Sequence, residues 1–390
     1  MAIPGSSAEL SEQMRLLLVN YEYPPIGAGA ATATQAIAHN LVALGHSVTV
    51  LTGSFRGLPR RSDEDGVTVL RVRCLRRRAD RCGVFEMFSF TVSALLSLPS
   101  VRATAQPEAL IVFFSFPTGP VGAASRAWYG LPYLVSLRGG DVPGLTPEVN
   151  WIHRLLAPIR RHILKHATAV VANAEGLRKL SEVTDPTPIH VIPNGVDTEF
   201  FQPAPAKSAD QPQSPQCRLL FVGRFQGQKN LPYLLQECSR LPSASFELHL
   251  VGDGPLAAEL RALAGRLGLG SVVIWHGWLP RAALRDVYQT VDCFINPSLY
   301  EGMPNVVLEA MACALPVIAS NIPGNDALVV PGRTGQLFEL HQPGALFNAI
   351  KNVMKDPMRS AQLGANGRSR AVAEFSWRRV AEDYLHLLRK

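Results

Sequence analysis

Charge is scarce in this chain. Asp, Glu, Lys and Arg make up 18% of its 390 residues, against about 25% in an ordinary soluble domain. With 47% apolar residues beside that figure, a disordered, self-repelling polymer is excluded. The net charge of +7 is spread over the whole length, so nucleic acid is not an expected partner. Uninterrupted apolar runs such as ALIVFFSF at 109–116 fall far short of the ~18 residues that cross a bilayer. The six cysteines (Cys74, Cys82, Cys217, Cys238, Cys293, Cys313) include no Cys-x-x-Cys pair, which suits a reducing cytosol better than a disulfide framework. The first thirteen residues, MAIPGSSAELSEQ, show neither the basic start nor the apolar stretch of a signal peptide. A loose tail and a cytoplasmic protein are expected.

What is present is alternation. The length exceeds the about 250–300 residues at which one core stops growing. RLLLVN (15–20) reads as a buried strand, a helical pattern runs from about Thr34 to Leu44, and SVTVLT (47–52) is the next strand. ALIVFF (109–114), PYLVSL (132–137) and ATAVVAN (167–173) continue the series, and HVIPNGV (190–196) closes it. FQPAPAKSADQPQSPQ (201–216) has linker composition. Strand and helix then alternate again: CRLLFVG, LPYLLQECSRL, FELHLVG, PLAAELRALAGRLGL, SVVIWHG, CFINPS, NVVLEAMACA and PVIAS. Two α/β domains facing across a cleft are expected, with ligands at the carboxyl ends of the strands. The boundaries read as a tail at 1–13, a first domain at 14–200, a linker at 201–216, a second domain at 217–374 and a C-terminal helix at 375–390.

Strand-end loops of the second half hold the chemistry. Gly223 ends its strand, Arg224 follows and Lys229 comes five residues later, with Asn230 placed to cap the next helix. Two such cations can grip one polyanion, a diphosphate above all, or can be two solvated surface charges. EGMPNVVLE (301–309) sets Glu301 in a loop and Glu309 about a turn into a helix that begins near Asn305. Carboxylates accept paired hydrogen bonds from vicinal hydroxyls, so two of them suit two sugar rings, while the free N–H groups of a helix start favour phosphate. A turn with a capping glutamate would explain one of the acids only.

EGMPNVVLEAMACALPVIAS, preceded by LLFVGRFQGQKN and LVGDGPL, closely resembles the retaining family-four glycosyltransferases of GT-B fold, two Rossmann-like α/β domains across a deep cleft. The resemblance runs from about Arg15 to FSWRRVAEDYL at 375–385. It implies transfer of a hexosyl unit from a nucleotide-diphosphate sugar, uridine by choice, to an acceptor hydroxyl that can be lipid-linked, in surface polysaccharide or glycolipid synthesis. It implies Arg224 and Lys229 on the diphosphate, Glu309 on the ribose and Glu301 on the donor hexose. Main-chain groups of Gly302, Met303, Pro304, Asn305 and Val306 would cradle sugar and phosphate, and Leu279 with Gly277 would lie against the base. No cofactor or metal is implied. The C-terminal tail would cross back onto the first domain. A sugar-nucleotide epimerase on the same scaffold and a degenerate nucleotide-sugar-binding subunit are the competing readings.

The first half departs more from the family. Gly27 and Gly29 form a small-residue loop that opens a helix, which by the resemblance lies near the donor phosphate. A dinucleotide site is disfavoured, since the third glycine and the following acid are absent. In SLRGGDVPG, Arg138 stands where many relatives carry histidine, and Ala327 where they commonly carry glutamate. Arg138 stays protonated and cannot serve as a base, while Asp141 fits the pattern and can orient a substrate. Residues 71–98 put six arginines within eleven residues ahead of an apolar-aromatic stretch. That suits an anionic membrane surface, on the inner face of the cell membrane, or equally a basic hairpin followed by a core helix. Asp63-Glu64-Asp65 reads as a charged turn, and His162 with His166 as helix surface lacking a third zinc ligand.

Overall fold

A computed structural model describes residues 13–27, 29–79, 82–145, 150–205 and 216–389. Most of the expected tail, Arg81 and most of the expected linker lie outside the described residues. The strands are β1 (Arg15–Val19), β2 (Ser47–Gly53), β3 (Arg61–Glu64), β4 (Val67–Val72), β5 (Ala109–Phe113), β6 (Tyr133–Leu137), β7 (Ala169–Ala172) and β8 (Ile189–Val191) in a first sheet. A second sheet holds β9 (Cys217–Val222), β10 (Phe246–Val251), β11 (Val273–Gly277), β12 (Cys293–Asn296), β13 (Val317–Ser320) and β14 (Gly335–Phe338). The helices are α1 (Gly29–Ala43), α2 (Val84–Ala105), α3 (Gly119–Tyr129), α4 (Asn150–His166), α5 (Glu175–Glu182), α6 (Leu231–Cys238), α7 (Ala257–Arg266), α8 (Arg281–Tyr288), α9 (Asn305–Ala312), α10 (Ala345–Lys355), α11 (Pro357–Glu374) and α12 (Trp377–Leu388).

The first sheet runs β3-β4-β2-β1-β5-β6-β7-β8 and the second β11-β10-β9-β12-β13-β14. Neighbours such as β1 with β2 and β5 pair in parallel, which requires crossover helices on the faces. In the second sheet, side chains alternate between two cores. Leu219 and Phe221 of β9 face one, Leu220 and Val222 the other, as the two-residue period of a strand demands. β3 pairs antiparallel with β4 through Asp65 and Gly66, both at positive φ, a tight hairpin turn. Asp63 and Glu64 are therefore strand residues, and Glu64 accepts a 2.8 Å hydrogen bond from Arg71. No group of three metal-ligating side chains occurs among the described residues, and His166 Nδ1 is spent on the His162 carbonyl, 2.8 Å away.

Two compact units result. One comprises the chain up to Leu137, Ile152–Val170 and the segment from Ala381; the other holds Arg138–Trp151 and Val171–Val380. This differs from the expected boundary at 200. Asn194 ties its surroundings to the second unit, since its side chain donates to Asn305 Oδ1 at 2.8 Å and the Val196 N–H donates to the Phe375 carbonyl at 2.7 Å. In the first unit, the Tyr384 hydroxyl of α12 lies 2.7 Å from Ser136 Oγ of β6. Helix α2 is long and apolar enough to cross a membrane by length and composition, because Ser and Thr interrupt its apolar run without breaking the helix. Its Phe90, Ala94 and Leu98 are buried in the first unit.

Candidate functional site

The second unit assembles its polar cluster at strand ends. Parallel β9 delivers Gly223 and Arg224 at its carboxyl end, and a 3₁₀ turn (Gly227–Lys229) carries Lys229. β12 ends four residues before Tyr300, and the loop that follows brings Glu301 to Lys229, with Nζ 2.5 Å from Oε1. Both side chains are largely buried, at 14% and 8% exposure. A pair this enclosed holds its geometry, because removing either partner strands the other charge out of water. Gln228 supports the loop by donating to the Tyr300 carbonyl at 2.8 Å. Asn230 occupies the N-cap of α6 without a side-chain capping bond, so the expected cap is positional only: at a φ of 53° its backbone is left-handed instead of extended.

Pro304 precedes α9, whose first turn carries no acid, so the positive helix end is left for an anion. Glu309 sits just over one turn in. Its Oε2 accepts a 3.1 Å hydrogen bond from the Tyr288 hydroxyl, which also donates to the Val306 carbonyl. Burial raises the Glu309 carboxyl to about 7, against the opposing pull of the Tyr288 hydrogen bond and Arg281. Met303 Sδ receives the Asn194 N–H at 2.9 Å. Arg138 Nη1 donates to Asn194 Oδ1 at 2.6 Å, and Asp141 Oδ1 accepts the N–H groups of Arg138 and Gly139. Asp141 is thus engaged in shaping its own loop. The Arg138 carbonyl lies 3.7 Å from where a Cβ on Gly302 would stand.

The structure thus gathers Lys229, Glu301, Gly302, Met303, Asn305, Arg138 and Asp141 into one neighbourhood. Gly277 ends β11, and its carbonyl accepts the Gly252 N–H at 2.7 Å. Leu279 packs on the core beneath. His276, just before Gly277, places its Nε2 3.0 Å from His249 Nδ1, and burial lowers the pKa of both. Gly27 and Gly29 belong to the first unit, Gly27 at a φ of 97° after β1 and Gly29 opening α1. Sequence reasoning missed Asn173, Asn194 and Tyr288. Asn173 is 5% exposed, its Oδ1 has no hydrogen-bond partner among the described residues, and its amide lies 3.8 Å from the Cβ position of Gly302. Its only signal was an asparagine ending a strand.

Residues 216–356 match the family described as glycosyl transferases group 1, and residues 28–195 the glycosyl transferase 4-like domain. The chain is 27% identical, over 97% of its length and 99% of the relative's, to an alpha-maltose-1-phosphate synthase of Mycolicibacterium smegmatis. It is 34% identical, over 49% of its length and 51% of the relative's, to the UDP-Gal:alpha-D-GlcNAc-diphosphoundecaprenol alpha-1,3-galactosyltransferase of Escherichia coli. Among solved structures, sucrose-phosphate synthase of Thermosynechococcus elongatus superposes with a TM-score of 0.82 at 24% identity, covering 97% of this chain and 98% of that one. The fold is GT-B.

Proposed function

Since the chain belongs to the group 1 glycosyl transferases, we propose that it is a retaining hexosyltransferase that uses a uridine-diphosphate sugar and an acceptor hydroxyl. The observation that carries this reading is the enclosed Lys229–Glu301 contact beside the unneutralised start of α9. The reading is supported because such a cation suits a departing diphosphate and such an acid suits a hexose hydroxyl. As the bond from the anomeric carbon to the diphosphate breaks, negative charge collects on the phosphate. Arg224, Lys229 and the α9 N–H groups stabilise that charge, with no metal needed for the purpose. The leaving phosphate oxygen takes the acceptor's proton while the new glycosidic bond forms on the same face. Glu301 and Glu309 bind hydroxyls in this scheme. The Escherichia coli relative acts on a lipid-linked diphosphate, which supports an acceptor of that class in surface polysaccharide or glycolipid synthesis.

The test is a panel of uridine, guanosine and adenosine diphosphate sugars, scored for acceptor-dependent nucleotide release and for the anomeric configuration of the product. Uridine donors and a retained configuration are expected. Release without an acceptor requirement, or inversion, overturns the scheme. Lys229→Ala should lower turnover by about 10²–10³, the usual effect of losing one electrostatic contact to the transition state. Turnover near the parent's would remove Lys229 from the mechanism.

A further inference from the structure

We infer that the first unit carries a docking surface for an anionic lipid bilayer, formed by the outer faces of α2 and α4 and the basic segment that precedes α2. Helix α2 commits Phe90, Ala94 and Leu98 to the core. Phe85, Phe88, Val92 and Leu96, three or four residues apart and so on one stripe, stand exposed on its opposite face, Phe85 at 88% and Leu96 at 78%. Helix α4 repeats the pattern. Arg160, Ile163 and Leu164 are buried, whereas Leu155 and Ile159, four residues apart, are exposed. Both helices flank one stretch of chain: Thr91 of α2 donates to the Pro117 carbonyl at 2.9 Å, and Ile163 of α4 stands 2.8 Å from the Cβ position of Gly119.

Charge identifies the occupant. Helix α4 contains no Asp or Glu, and Arg154, Arg161 and Lys165 are exposed on it. The preceding basic segment is fastened to the start of α2, because the Leu75 N–H donates to Ser89 Oγ at 2.9 Å and the Arg77 N–H to Glu86 at 3.1 Å. Arg73, Arg77 and Arg78 are exposed there, while Arg71 and Arg76 are buried and hydrogen-bonded inside the unit. Glu86, the one acid on α2, is engaged with the N–H groups of Gly83 and Arg77. Apolar stripes rimmed by cations fit a helix lying in the plane of a negatively charged membrane surface. The buried face of α2 excludes a spanning orientation for the folded unit.

The test incubates the full chain, without any donor sugar, with vesicles of phosphatidylcholine alone or mixed with phosphatidylglycerol. Co-sedimentation should favour the anionic vesicles by about tenfold or more and weaken with salt. F85S/L96S and L155S, all at exposed positions, should each cut binding at least severalfold, and R73S/R77S/R78S should erase the preference for anionic lipid. Equal binding to both vesicles, no binding, or binding that these variants leave unchanged overturns the inference. A dimer that hides the stripes and ignores vesicles overturns it as well. Nucleotide binding measured on the same variants keeps this outcome separate from that of the donor site.

Discussion

At the Glu309 carboxyl, burial outweighs the Tyr288 hydrogen bond and the Arg281 charge, leaving a pKa of about 7. The sign of its effect on binding follows. Only the ionised form offers acceptors on both oxygens to a vicinal diol, so donor affinity is present above about 7 and is lost as pH falls through that value. Titration calorimetry should show the dissociation constant rising towards about tenfold per pH unit on the acid side. Glu309→Gln should bind weakly with no such slope, and Tyr288→Phe, which removes a contact that lowers the pKa, should shift the midpoint upward. A flat profile in the parent would detach Glu309 from the donor. Asn173 gives a second expectation. A buried amide oxygen without a partner costs about 1–3 kcal/mol, so Asn173→Ala should leave stability near unchanged while raising the KM of donor or acceptor. Loss of stability with unchanged KM would make it a packing residue. Lys229 and Glu301 stood out in the sequence only through the resemblance of their two loops to a family motif, since either charge alone reads equally as a solvated surface group. Asn173 and Tyr288 did not, because their roles rest on contacts with residues far along the chain.

At the scale of elements, the strands were legible because parallel strands covered on both sides are short apolar runs, as β1, β5 and β6 are. β3 and β14, written RSDE and GQLF, escaped because edge strands need no such run. Equally hidden was the scaffold of the Glu301 loop. Asn296 donates to Asn325, Asn325 to the Ser320 carbonyl, Ser320 to the Ser298 carbonyl and Ser298 back to Asn296, all in buried surroundings. This ring locks the ends of β12 and β13 to the 321–326 turn. Gly324 in that turn has a φ of 95°, and a Cβ there would come 2.5 Å from the Gly302 carbonyl oxygen. Gly324→Ala should therefore cost stability by about 1 kcal/mol or more and, by pushing the loop, raise the donor KM severalfold. Parent-like kinetics at reduced stability would show that the turn supports the fold without setting the site.

For the whole molecule, the last helix links the two units through the chain itself. Helix α12 starts in the second unit, and from Ala381 onward it packs with the first. Its Tyr384, Leu385, Leu387 and Leu388 are buried. Leucine side chains that bury fully contribute about 1.5–3 kcal/mol each, so deleting the chain from Ala381 should destabilise the first unit far more than the second, seen as one calorimetric transition moving down while the other holds. The division at Leu137 and Val170 could not be read from composition, because it follows hydrogen bonds such as that from Arg138 to Asn194, 56 positions apart. The contact between Ser136 and Tyr384 isolates the anchoring at a single bond. Both hydroxyls are buried at 2.7 Å, where a hydrogen bond contributes about 1 kcal/mol. Ser136→Ala and Tyr384→Phe, alone and together in urea denaturation, should show a coupling of about that size. Strict additivity, with Tyr384→Phe costing the same in the parent and in the Ser136→Ala background, would mean that this bond contributes nothing and that the buried leucines hold the helix.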